Sequence, residues 1–169
     1  PVLSSCVLLL VIVNHCAQAA EPQQALLQPG PFGWALAATT LSEAWATSLS
    51  AYQEPPLTVE LWAKLDDCTS FRVLLANGTK ESARHWELYT YMGAGDFSVF
   101  IPAARPEEIR SGVSITDGRW HFLAFTYEKE RARLYVDGRL VKEQPIVVTT
   151  TEGASEQASH LTFGYVHSG

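Results

Sequence analysis

From Leu57 to Leu65 apolar and polar side chains alternate without a break. Leu57, Val59, Leu61, Ala63 and Leu65 fall on one side, and Thr58, Glu60, Trp62 and Lys64 on the other. A period of two over nine residues marks a half-buried strand, because successive side chains of a strand point to opposite faces. Pro55-Pro56 just upstream keeps a helix from running into it. Shorter runs follow: residues 71–76 ending at Asn77-Gly78, residues 85–92 ending at Gly93-Ala94-Gly95-Asp96, and residues 97–101 ending at Pro102. Residues 109–115 lead to Asp117-Gly118, then come 121–127, 133–136 and, across Asp137-Gly138, 139–143; residues 161–166 read as one more strand. Asn-Gly and Asp-Gly suit tight hairpins because both residues tolerate positive φ. Only residues 41–50 leave a choice between a helical turn and a strand. Short strands punctuated every 8–12 residues predict an all-β, two-sheet antiparallel sandwich rather than βαβ units.

The two ends of the chain read differently. Residues 1–20 carry no charged side chain, Val7 to Val13 is unbroken apolar, and Ala17-Gln18-Ala19 has the small-x-small pattern of a cleavage site. Such a run is too short to span a bilayer and fits a signal peptide, with cleavage after Ala19 or Ala20. Cys16 raises a lipoprotein alternative, although Val13-Asn14-His15 lacks the small residue expected before a lipid-modified Cys; a buried apolar N-terminal segment is the other alternative. Residues 21–31 are a Gln- and Pro-rich linker, and 32–169 form the domain. Export places the protein outside the cytoplasm and leaves Cys68 as the single thiol of the mature part, either free or missing its partner.

Composition narrows the partners. The chain has 169 residues, 47% hydrophobic and 18% charged, which suits one globular domain and excludes a disordered, collagen-like or coiled-coil chain. Its net charge of −6, with no basic block, argues against nucleic acid or an anionic membrane surface as partner.

Three blocks carry a family resemblance: Leu57-Thr-Val-Glu-Leu-Trp-Ala-Lys, Asp117-Gly-Arg-Trp-His-Phe-Leu-Ala and Arg133-Leu-Tyr-Val-Asp-Gly-Arg-Leu-Val. In order and spacing they resemble the concanavalin A-like, laminin-G-like family over roughly residues 34–169. The resemblance implies a jelly-roll sandwich, of the kind found as modules of secreted, often bacterial, multidomain proteins, that binds glycans or extracellular protein partners. It also implies a closing strand beyond Gly169, which this sequence lacks.

Chemistry is sparse. Glycosidases on this type of fold place paired carboxylates two or four positions apart on one strand. Here Glu60 and Glu87 stand alone on theirs, Gly-x-Ser-x-Gly is absent, and the histidines lack metal-ligand spacing. The expected function is therefore a non-catalytic extracellular binding module, with a glycan-cleaving domain or a structural spacer as alternatives. Along the strand from His85, alternation puts Glu87, Tyr89 and Tyr91 on one face and Trp86, Leu88 and Thr90 on the other. Trp86 and Leu88 suit the core. The tyrosine face is then solvent-facing, and with Asp96 and Arg110 it forms the candidate ligand-binding set; the alternative is that the rings merely cover a sheet. Gly93-Ala-Gly95 would let a ligand approach the backbone beside Asp96. Asp66-Asp67 is the candidate calcium site, and no other cofactor is expected. Asn77-Gly78-Thr79 is a formal glycosylation sequon, consistent with a surface loop.

Overall fold

A computed structural model describes residues 6–13, 27–38, 44–47, 50–149 and 160–164. The strands are β1 (Cys6–Val13), β2 (Leu27–Gly30), β3 (Gly33–Ala38), β4 (Ala44–Thr47) and β5 (Leu57–Lys64). They continue with β6 (Arg72–Asn77), β7 (Trp86–Thr90), β8 (Asp96–Phe100), β9 (Ala104–Arg105) and β10 (Glu108–Ser114). The last are β11 (Trp120–Glu128), β12 (Arg131–Val136), β13 (Arg139–Pro145), β14 (Val147–Val148) and β15 (His160–Phe163). Residues Ser50–Tyr52 form one 3₁₀ turn. The stretch 41–50 thus supplies a strand and the start of that turn, and residues 165 and 166 of the expected last strand lie outside the described residues.

Two sheets face each other, as the alternation predicts. One has seven strands in the order β13-β12-β11-β5-β1-β3-β2, the other six in the order β10-β8-β7-β6-β15-β4. Strand β5 buries Leu57, Val59, Leu61 and Ala63 and turns the residues between them outward. Opposite, β7 sends in Trp86 and Leu88, and the core closes with Phe97, Val99, Ile109, Phe125 and Leu134. The faces of β5 and β7 are those read from the sequence.

Two features of the N-terminal part differ from the sequence reading. Part of the stretch read as a linker, Leu27–Gly30, pairs antiparallel with β3 as a hairpin at the sheet edge. Its side chains are exposed or half-buried, so burial imposes no alternation, and Pro29 is tolerated because an edge strand need not donate on its outer side. Strand β1, within the segment read as a leader, lies parallel to both β3 and β5 in a sheet whose other pairings are antiparallel. An uncharged, β-branched apolar run meets the demands of a leader and of an inner strand equally well, so the pairing by itself does not decide between the two.

Two of the sequence blocks meet in space. His121 Nδ1 stands 2.9 Å from Asp137 Oδ2 and its Nε2 3.0 Å from Asp117 Oδ1, while Asp137 Oδ1 accepts the Phe122 N–H at 2.9 Å. Asp137 adopts φ 50° in the β12–β13 turn, a conformation Asp tolerates. Burial opposes charge on the imidazole, but its hydrogen bonds to Asp137 and Asp117 outweigh this and raise its pKa. A raised histidine pKa contributes stability in full below the ordinary value of 6.5, and that contribution is lost as pH rises through the folded value. His121→Gln should therefore cost about 1 kcal/mol at pH 5.5 and less at pH 9, read by denaturant melts at both pH values.

Candidate functional site

The outer face of the six-stranded sheet is built by register. Glu108 lies abreast of Phe100, Phe100 of Glu87, and Glu87 of Ala76, so strands β10, β8, β7 and β6 present these side chains in one row. In the next row Arg110, Ser98, Tyr89 and Val73 stand abreast. With Phe71 and Lys80 from the flanking loops, the face encloses an open groove of about 300 Å³ lined by Phe71, Val73, Lys80, Glu87, Tyr89, Phe100 and Glu108. Phe71 is its exposed ring, 49% accessible, with its centroid 6.0 Å from that of Tyr89 and 5.1 Å from that of Tyr91.

The groove corrects the expected solvent-facing sheet. Glu87 and Tyr89 are only 5% and 4% exposed, because neighbouring side chains rise on either side of them. Tyr89 donates its hydroxyl to Glu108 Oε2 at 2.8 Å. Burial first, then that hydrogen bond and the charges of Glu108 and Glu87, push the phenol far above its usual range, so it remains a donor. Glu87 Oε1 faces Lys80 Nζ at 3.4 Å. Its Oε2 stands 3.4 Å from His85 Nε2, and His85 turns Nδ1 to the carbonyl of Asn77 at 3.0 Å. A carbonyl only accepts, so Nδ1 carries a proton.

Asp96, Arg110 and Tyr91 form a separate, self-satisfied unit at the rim. Arg110 Nε and Nη2 donate to Asp96 Oδ2 and Oδ1 at 3.1 and 2.7 Å, and its guanidinium carbon lies 3.6 Å from the Tyr91 ring centroid. A bulge between Arg110 and Ser114 brings the Gly112 N–H to Asp96 Oδ2 at 3.3 Å. Burial would raise the Asp96 pKa, but Arg110 and the Gly112 amide outweigh it and hold the carboxylate below its ordinary range. Asp96 is 2% exposed, so it supports Tyr91 through Arg110 instead of meeting solvent. Gly95 takes φ +66°, and a Cβ there would clash with Thr116 Oγ1. The close approach that glycine permits is used by the chain's own Thr116; beside Gly93 the space is open.

The other candidates are placed elsewhere. Asp66 is exposed. Asp67 accepts from Arg72, from the Thr69 N–H at 2.8 Å and from the Thr69 hydroxyl at 3.0 Å. Those bonds, Arg72's first, lower its pKa to about 2, and a calcium ion would have to compete with them for the same oxygens. Among the described residues no three His, Cys, Asp or Glu side chains cluster as metal donors. Asn77 of the sequon is fully buried and donates Nδ2 to the Arg84 carbonyl at 3.1 Å, which removes it from a surface loop.

Sequence reasoning missed Phe71, Lys80, Phe100 and Glu108. Phe100 and Glu108 join Glu87 only through cross-strand register, and Phe71 and Lys80 reach the groove from loop-proximal positions.

A family model described as the concanavalin A-like lectin/glucanases superfamily, of laminin G type, matches residues 39–165. No curated protein sequence matches the chain. Among solved structures, the fold is similar to domain 4 of AbnA, a GH43 extracellular arabinanase from Geobacillus stearothermophilus, in complex with arabinotriose: TM-score 0.52, 16% identity, 83% of this chain and 66% of that one. It is also similar to domains LG4-5 of the mouse laminin alpha1 chain, with TM-score 0.50, 15% identity, and 75% and 32% covered. The Ruminococcus gnavus IT-sialidase CBM40 matches with TM-score 0.48 at 16% identity, over 64% of this chain and 63% of that one. The chain thus spans no more than 66% of any of these three.

Proposed function

The chain belongs to the concanavalin A-like lectin/glucanases superfamily, and from that premise we propose that it is a non-catalytic, extracellular carbohydrate-binding module. The observation that carries this reading is the groove: three rings, Phe71, Tyr89 and Phe100, line it together with carboxylates and an ammonium group. Sugars need that mixture, rings for their apolar C–H faces and polar groups for their hydroxyls. The arabinotriose complex of AbnA domain 4 supports the class of ligand without fixing its identity. Residues 1–20 serve as an export leader in this reading. N-terminal sequencing of secreted protein should then begin at Ala20 or Glu21, and a mature chain that keeps Val7–Val13 would contradict it.

Cleavage of the glycan is the competing activity, because Glu87 and Glu108 both face the groove. They stand on β7 and β10, with β8 between them. Two strand spacings put their backbones roughly 10 Å apart, so they are not the paired carboxylates on a single strand that glycosidases of this type of fold use. Glu108 is also occupied by Tyr89, and Glu87 by Lys80.

Calorimetric titration of neutral oligosaccharides tests the proposal. Phe71→Ala and Tyr89→Ala should each weaken the bound sugar about five- to tenfold, the loss of one ring contact. Release of reducing ends by the parent protein would favour the hydrolase instead.

A further inference from the structure

If the groove holds a sugar, as proposed above, its charges decide which sugars it admits. Two carboxylates, Glu87 and Glu108, line it against one ammonium, Lys80, which leaves one negative charge in excess. Lys80 is 57% exposed and already faces Glu87. Arg110, the cation on the adjoining row, is bound through Nε and Nη2 to Asp96, which balances its charge, and it is stacked on Tyr91. The second observation is independent of charge. Glu87 Oε2 is buried and accepts no hydrogen bond among the described residues. The polar atom facing it, His85 Nε2, is equally without a hydrogen bond there. The Glu87 carboxylate as a whole is therefore short of donors, and a ligand O–H that meets the part of Glu87 lining the groove supplies one.

We infer that the groove selects sugars that carry no acidic group and that donate a hydroxyl to Glu87, and that it excludes sialylated, uronic and sulfated glycans. An anionic substituent within about 5 Å of the Glu87 or Glu108 carboxylate meets a repulsion worth more than a tenfold loss of affinity at the effective dielectric of a partly exposed site. A neutral hydroxyl at the same position gains a charge-assisted hydrogen bond instead.

The experiment titrates the full chain with neutral probes (arabinotriose, xylotriose, cellotriose) and acidic ones (sialyllactose, trigalacturonate, a heparin tetrasaccharide). At least one neutral probe should bind, with the acidic probes more than tenfold weaker. Glu87→Gln should weaken the neutral ligand about five- to tenfold, since a neutral acceptor replaces a charged one. Glu108→Gln, at an exposed position, should narrow the gap between acidic and neutral probes, and near-UV circular dichroism checks that both variants are folded. Acidic probes binding as tightly as neutral ones, or a folded Glu87→Gln that binds like the parent, overturns the inference while the sugar-binding reading stands. Binding of neither class overturns that reading itself.

Discussion

Trp86→Ala should lower stability by about 3–5 kcal/mol, the cost of emptying a large aromatic site in a packed core. The indole is 2% exposed, lies with its centroid 6.4 Å from that of Phe125 of the facing sheet, and donates Nε1 to the Tyr52 carbonyl at 2.7 Å. Truncation opens a cavity between the sheets and strips that carbonyl of its donor. For a domain held by about 5–15 kcal/mol this is a large share, and the melting temperature should fall by more than about 10 °C. Trp86→Phe keeps most of the volume and loses the donor, so it should cost about half as much. Thermal melts of the two variants check both numbers. Equal losses would mean that the Tyr52 hydrogen bond, and not the packing, carries the effect.

Asp96→Ala should come next, at about 2–3 kcal/mol. Removing one partner of a buried ion pair strands the other. Arg110 keeps 39% of its side chain in water, which places the loss below the roughly 3–5 kcal/mol of a fully buried pair. The pH dependence follows from the lowered Asp96 pKa. Its contribution is present above the ordinary value of 3.8 and disappears as pH falls through the folded value. Parent and Asp96→Asn should thus differ at pH 6 and converge on acidification below about pH 4. Because Arg110 also stacks on Tyr91, the variant should loosen the rim ring as well, visible as a changed near-UV signal from tyrosine.

The contrast between Trp86 and its neighbours Glu87 and Tyr89 also marks how far the sequence could be read. Alternation within β5 and β7 gives the inward and outward sets correctly, because a one-residue slip would turn an apolar side chain into water. It gives no register between strands. That Phe100 falls abreast of Glu87 and Glu108 abreast of Phe100 depends on loop lengths and on bulges, one between Val73 and Leu75 and another between Arg110 and Ser114. A period of two cannot express either. The groove was half legible for the same reason: its floor came from one strand's pattern, and its walls came from Phe71, Lys80 and Glu108, which alternation treats as ordinary exposed residues. Burial of Glu87 and Asn77 was illegible too, since polar residues read as surface until a partner such as Lys80 or the Arg84 carbonyl is located.

If residues 1–20 act as the export leader proposed above, the parallel seat of Cys6–Val13 between β3 and β5 sets folding against export. A segment that addresses the chain for export and also fits into the sheet cannot do both in one molecule. Zipped along β5 from Cys6 to Ile12 and along β3 from Val11 to Val13, its backbone is engaged and is no longer offered as an extended substrate to a translocation machinery or a peptidase. Folding and export then compete for the same eight residues. On the proposed reading of residues 1–20 as a leader, export requires the nascent chain to stay open until that segment has passed. On the same reading, a chain that folds first keeps its address hidden inside the sheet.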